Sequence, residues 1–298
     1  MILIILLYLL VAITIIIAKY STTVADPLFF ISARLTLAGL LLLVGYNLFS
    51  TNAWKIHKSD WIDFIQAIIF FYYLTFVLEF WVLPYVSAVN VSLLYSLAPF
   101  ITFILAYFIF NQTLSGIQIW GSLIAFGSII PLITKNGQLT GTTFAPLSWR
   151  DLVILLAVTC GSYGWFCVQR LLKKGYSLLF ISGISMFLGG LLSLITWSFT
   201  TTHLQNPINN SSGFWFALIS LIIVAHIVVF NLYGYLMRSF SISTLSVWSF
   251  TSPLFTSLLS MFFLHETLEW QHLVAFTGLT IGLYLFMQKE GRICLLTC

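Results

Sequence analysis

Charge is what this sequence has least of. Only 7% of its 298 residues are Asp, Glu, Lys or Arg, where a soluble domain carries about 25%. So few charges cannot cover the surface of a water-soluble globule this size. Nucleic-acid binding is excluded on related grounds. The net charge is +4, but the basic residues are scattered and form no stripe among exposed aromatics. The four cysteines point to no redox or metal chemistry. Cys160 and Cys167 fall on one helical face, Cys294 and Cys298 lie in the tail, and none has a His at zinc spacing. The chain also lacks a G-x-x-x-x-G-K-[ST] loop, and with it an evident means of using ATP. No G-x-S-x-G nucleophile elbow occurs. His265-Glu266 opens like a zinc-protease motif, yet position 269 is Glu and His272 is too far on to form the i,i+4 ligand pair. No catalytic residue, metal or cofactor is expected.

What is abundant is apolar surface: 60% of residues are hydrophobic and 17% aromatic, with a mean hydropathy of +1.05. A run of about 18 or more apolar residues reads as a bilayer-spanning helix. Ten such runs can be drawn, at 2–19, 27–49, 61–83, 87–110, 115–134, 149–169, 176–199, 213–237, 243–264 and 269–288. The expected fold is therefore an all-α integral membrane protein of about ten transmembrane helices. The first run lacks the basic flank and cleavage site of a signal peptide, so it is expected to remain as a helix. A polar connection with Gly137, Gly141 and Pro146 marks a seam. It divides the chain into a first unit at 1–135, a connecting loop at 136–148, a second unit at 149–288 and a tail at 289–298.

Orientation follows from Lys and Arg. With the N-terminus in the cytoplasm, that side holds Lys55, Lys58, Arg170, Lys173, Lys174, Arg238, Lys289 and Arg292. The outer side holds only Lys19, Lys135 and Arg150. Eight against three fits the positive-inside rule and puts both termini in the cytoplasm.

The two units repeat one another. Segments 86–114 and 240–268 align without a gap, placing Pro99 on Pro253, Gln112 on Glu266, Thr113 on Thr267 and Leu114 on Leu268. Earlier, Leu28-Phe29-Phe30-Ile31-Ser32 matches Leu178-Leu179-Phe180-Ile181-Ser182, and Gly39 matches Gly189. Five spans per unit is an odd number, so the second unit would enter the membrane upside down. Inverted repeats with a substrate site between them recur in secondary transporters. Two five-helix units, each with a proline-bearing helix and a polar turn, resemble the drug/metabolite transporter superfamily, EamA type. Gln112 departs from the Glu common in that turn. The stretch Glu79-Phe80-Trp81…Tyr85-Val86-Ser87-Ala88…Leu94-Tyr95…Pro99-Phe100 is also similar to the S-adenosylmethionine transporters of obligate intracellular bacteria within this group. The resemblance implies a carrier in a bacterial inner membrane, with S-adenosylmethionine exchanged for S-adenosylhomocysteine as the leading substrate pair. Export of amino acids or toxic amphipathic compounds is the alternative. A non-transporting receptor or an intramembrane enzyme would leave the duplication unexplained.

Candidate binding residues are the polar and aromatic groups at membrane depth. An acid there costs roughly 2.5–3.5 kcal/mol at the helix centre, which singles out Glu79. It reads as an anchor for an ammonium or sulfonium, as a proton carrier, or as an acid that reaches interfacial water or pairs with Lys19 or Arg34. Arg34 has only Ile184 at the matching place in the second unit. It reads as a fork for a carboxylate, as a partner of Glu79, or as a side chain snorkelling outward. His226, Asn231, Asn90 and Tyr95 read either as substrate contacts or as interhelical glue. Tyr163, Trp165 and Trp248 could line a cavity for a cationic or zwitterionic small molecule. Trp54, Trp61 and Trp270 read as interfacial belt residues. Pro99 and Pro253 are candidate hinges, each freeing the carbonyl four residues earlier, at Tyr95 and Ser249. Oligomeric state is not legible.

Overall fold

A computed structural model describes residues 2–49, 56–110, 115–133, 148–200, 206–236, 248–249, 251–266 and 270–287. Expectations for Trp54, Lys55, Gln112, Thr113, Leu114, Lys135, Arg238, Thr267, Leu268, most of loop 136–148, the start of the ninth span and the tail fall outside these residues. The described chain is helical apart from turns and one isolated bridge, Ala25 to Ile208. The elements are α1 (Ile2–Val24), α2 (Pro27–Phe49), α3 (Lys58–Tyr85), α4 (Ala88–Tyr95), α5 (Ala98–Phe110) and α6 (Gly116–Ile133). They continue as α7 (Trp149–Lys173), α8 (Leu178–Thr200), α9 (Ser211–Leu236), α10 (Thr251–Phe263) and α11 (Trp270–Met287). With α4 and α5 taken as one broken span, these make ten. Seven of the described spans are long and apolar enough to cross a bilayer. Their outer faces carry Leu48, Phe108, Phe199 and Phe216, all exposed. In water that surface would be one large apolar patch; in hydrocarbon it is solvated.

Several boundaries differ from the sequence expectation for local reasons. The first helix runs to Val24 rather than stopping at Lys19. The Lys19 ammonium lies inside it, and its burial is offset by donation to the carbonyls of Leu83 (2.7 Å), Pro84 (3.0 Å) and Val86 (2.7 Å). α3 stays continuous but widens into a π-helical stretch at Ala67–Leu74. α9 does the same at Ile222–Val229, also for eight residues. The fourth span breaks at Ser96–Leu97, whose amides bond back to carbonyls of Ser92, Leu93 and Leu94. Pro99 then sits in the first turn of α5, where a missing N–H costs nothing. Pro253 occupies the same place in α10. The carbonyl of Ser249 is not freed, contrary to expectation, since it accepts from the Ser252 amide at 2.9 Å.

The closest helix pair is α2 on α8, followed by α6 on α11. A Cβ at Gly39 would lie 2.4 Å from the backbone nitrogen of Phe187, and one at Gly190 would lie 2.5 Å from that of Thr36. Only glycine admits so close an approach. Thr36, Gly39 and Leu43 ascend α2 while their partners Gly190, Phe187 and Gly183 descend α8, so the two run antiparallel. The contacts thus set Gly39 on Phe187 and Gly190 on Thr36, whereas Gly189, which the sequence match aligns with Gly39, faces Tyr72. Gly282 against Gly121 and Gly278 against Ser128 give α6 and α11 the same antiparallel sense. Other contacts exchange in the same way. α1 packs on α9 and α10, and α7 on α3, α4 and α5.

Candidate functional site

Two turns into α2, Arg34 meets the second half of α3, the end of α4 and the π-helical stretch of α9. The side chains gathered there are buried: Arg34 is 4% exposed, Glu79 9% and His226 1%. The Tyr95 hydroxyl, at the last residue of α4, donates to Glu79 Oε2 at 2.6 Å. The Arg34 guanidinium carbon lies 5.0 Å from the ring centroids of both Phe76 and Phe80. Ring faces attract a cation electrostatically, so the two phenyls stabilise the guanidinium charge. Among the described residues no contact ion pair joins Arg34 to Glu79, although each lies within the other's electrostatic reach. The alternative partner for Glu79, Lys19, is committed to the carbonyls at the end of α3. His226 stands edge-on to Phe76 at 6.3 Å and tilted on Phe230 at 5.7 Å. Neither of its ring nitrogens, nor Arg34 Nε, has a hydrogen-bond partner among the described residues.

An aromatic wall continues from His226. Trp165 stacks on Phe230 at 6.0 Å, and lies 4.8 Å from Phe71 and 5.0 Å from Tyr233. Glu79, Tyr95, Arg34, His226 and Trp165 are therefore brought into one neighbourhood. The other candidates make different contacts. Asn231 is exposed and turns its amide onto the Ile227 carbonyl of its own helix. Trp248 packs against the separate cluster of Ile4, Leu7, Tyr8 and Leu236. Tyr163 rests on Phe70 and reaches towards Cys167 and Arg170. Asn90 donates its backbone N–H to Ser87 Oγ, the N-cap of α4.

Glu266 acts where sequence reasoning had left it in a turn. Its Oε1 accepts the Ala88 amide at 2.9 Å and its Oε2 the Val89 amide at 3.4 Å. A carboxylate at a helix N-terminus satisfies orphan donors and opposes the helix dipole. Glu266 reaches that position because α10 ends in a tight turn. His265 takes a left-handed φ of 53°, and the Glu266 amide bonds back to the Ser260 carbonyl. The carboxylate therefore joins the second half of the chain to α4, beside the Lys19 contacts that hold the preceding turn. Phe76 and Phe80 were also missed; an apolar residue on an apolar helix carries no sign that it will flank a guanidinium.

A model of the EamA-like transporter family matches residues 1–134 and 148–288. A protein of Chlamydia muridarum (strain MoPn / Nigg), named as an S-adenosylmethionine/S-adenosylhomocysteine transporter, is 26% identical over 278 residues, covering 92% of this chain and 87% of its own. A protein of the same name from Chlamydia trachomatis serovar L2 is 27% identical over 281 residues, covering 92% and 85%. A crystal structure of 17% sequence identity superposes with a TM-score of 0.67 over 98% of this chain and 96% of its own, a likeness of fold alone. Both the spans and the two matched stretches agree on a multi-pass membrane protein, and this chain belongs to the EamA-like transporter family.

Proposed function

We propose that the chain is a secondary transporter that takes up S-adenosylmethionine through the bacterial inner membrane in exchange for S-adenosylhomocysteine. The observation that carries this reading is the buried cluster of Arg34, Glu79, Tyr95 and His226, enclosed by helices from both halves of a transporter-family chain. Charges at that depth are costly unless they serve a path or a ligand. Two relatives spanning most of the chain bear the substrate's name, and Glu79 with the aromatic wall near it suits a ligand that carries both an ammonium and a sulfonium.

The transport cycle is alternating access between two inverted five-helix repeats. The antiparallel pairing of α2 with α8 and of α6 with α11 supports the inversion, as does the matched widening of α3 and α9. Pro99 and Pro253 mark the hinges, since each begins a helix just after an interruption. Both termini are cytoplasmic, following the distribution of Lys and Arg.

The test is uptake of radiolabelled S-adenosylmethionine into proteoliposomes preloaded with S-adenosylhomocysteine. Saturable uptake that needs the preload is expected. Uptake that amino acids or amphipathic drugs abolish, while S-adenosylhomocysteine does not compete, would replace this reading with the export of those compounds.

A further inference from the structure

Three buried nitrogens in one neighbourhood have no partners among the described residues: Arg34 Nε and both ring nitrogens of His226. A buried guanidinium lacking a hydrogen-bonded anion is a costly arrangement, and an unsatisfied buried polar group calls for an explanation. Glu79 does not supply the anion, for its carboxylate accepts Tyr95 instead. Phe76 and Phe80, each with its ring centroid 5.0 Å from the guanidinium carbon, attract the charge but supply no carboxylate or other anion. The Nε–H is left for an acceptor. An edge of two parallel N–H groups matches a planar, two-oxygen acceptor.

We propose that Arg34 and His226 form a subsite for the substrate's carboxylate, and that with Glu79 facing the ammonium the carrier selects an intact α-amino-acid head group. This rests on the transporter reading above and adds which end of the substrate is read, and by what. The chemistry is specific on each point. Guanidinium donates only, so it rejects a cation. Neutral imidazole donates one N–H to a second carboxylate oxygen or to a water beside it. The Arg34–Glu79 pair contributes no net charge, so a zwitterionic head group enters without adding any. Arg34 comes from the first half and His226 from the second, so a carboxylate held by both bridges the two halves.

The experiment compares S-adenosylmethionine with decarboxylated S-adenosylmethionine, which keeps sulfonium, adenosine and amine but lacks the carboxylate. Purified full-length protein in proteoliposomes should favour the parent compound by about 10–100-fold, the worth of hydrogen bonds to a charged group. Arg34→Gln should bring the ratio of the two uptakes towards one, and His226→Phe should move it the same way by less. Equal uptake of both compounds by the unaltered protein would overturn the proposal. So would an unchanged ratio in the variants. If neither compound is carried, the substrate reading falls, and the head-group proposal meets a second measurement, the thermal shift of the detergent-purified protein. L-methionine should then raise Tm where 3-methylthiopropylamine does not, and a shift with both or with neither would refute it. That arm uses only the unaltered protein, so a variant that fails to fold cannot obscure the answer.

Discussion

The two halves of the chain share a scaffold but not its chemistry. α2 and α8 each run for 23 residues, α5 and α10 for 13, and α6 and α11 for 18. The π-helical stretches of α3 and α9 are both eight residues long. The close contact of α2 with α8 is also reciprocal, with Gly39 on Phe187 answered by Gly190 on Thr36. Charge is not reciprocal. When the two π-helical stretches are laid over each other, Glu79 falls on Gly234, His226 on Phe71 and Phe76 on Asn231. Arg34 falls on Ile184 or its neighbour. Packing is thus constrained twice over, once in each half, whereas the buried cluster takes its acid, guanidinium and phenol from the first half and its imidazole from the second. Substitutions at duplicated positions should therefore damage stability alike in both halves, while those at unduplicated positions should damage transport.

The largest effect is expected at the crossing of α2 and α8. Gly39→Ala and Gly190→Ala each place a methyl against backbone that cannot yield cheaply. Overpacking of this kind costs about 1–3 kcal/mol, against a helix-propensity gain of about 1 kcal/mol. Gly45→Ala is the control on the same helix, because nothing lies within 4 Å of its Cβ. Melting of the purified proteins in detergent should show two destabilised variants of similar size and a control at or above the parent. A large loss in only one of the two would break the symmetry claimed for the scaffold.

Next comes the unduplicated acid. Glu79→Gln removes the charge that faces the substrate's cationic group while its amide oxygen can still accept from Tyr95, and a hydrogen bond to a charged group is worth about 1.5–3 kcal/mol. Transport should fall about 10–100-fold with Tm held near the parent, and Tyr95→Phe should reproduce a smaller part of that loss. Equal losses of stability and transport would make the pair structural glue instead.

Glu266→Ala should follow, at about 1 kcal/mol of stability, the usual worth of a helix cap. Glu266→Gln should recover part of it, since an amide oxygen still accepts from Ala88 or Val89. Glu266→Lys should do worse than alanine by placing a cation at the positive end of α4 and beside Lys19.

How much of this was legible in the sequence follows from what each feature depends on. Helices were legible because bilayer solvation writes itself as long apolar runs, though their ends were not. Lys19 looked like a terminus, and only the nearby carbonyls of Leu83, Pro84 and Val86 explain why α1 continues past it. Arg34, Glu79 and His226 stood out because charge and imidazole are conspicuous among Leu and Phe. Their mutual arrangement depends on crossing angles and on where a helix widens into a π turn, and neither leaves a residue signature. Asn231 and Trp248 were attractive by type alone, but side-chain direction turns the first outward and chain path places the second against α1 and α9. The break at Ser96–Leu97 was half legible: Pro99 marked the place, yet a proline reads equally as a kink within a helix or as the first turn of a new one.

The smallest effect belongs to the polar end of the molecule where α3 starts and α7 stops. Lys174 donates to Asp60 at 2.7 Å and to Asp63 at 2.8 Å, and Arg170 lies 3.2 Å from Asp63. Hydrogen bonds to Asp60 and then Asp63 hold the Lys174 ammonium above the ordinary lysine range. A lysine whose pKa is raised on folding stabilises fully below its unfolded value and loses that contribution as pH climbs through the folded one. Lys174→Met should therefore lower Tm slightly at neutral pH, and the gap between variant and parent should close as pH is taken well into the alkaline range. High salt should also narrow it, because half-exposed ion pairs are screened. The other end of the bundle offers the contrast. Val24 and Asp26 meet Pro207, Asn209 and Asn210 through backbone hydrogen bonds, with no ion pair among the described residues there, so substitutions there should show neither dependence. If Lys174→Met behaved as insensitively to salt and pH as those, the ion network would contribute nothing, and the two ends would be held alike.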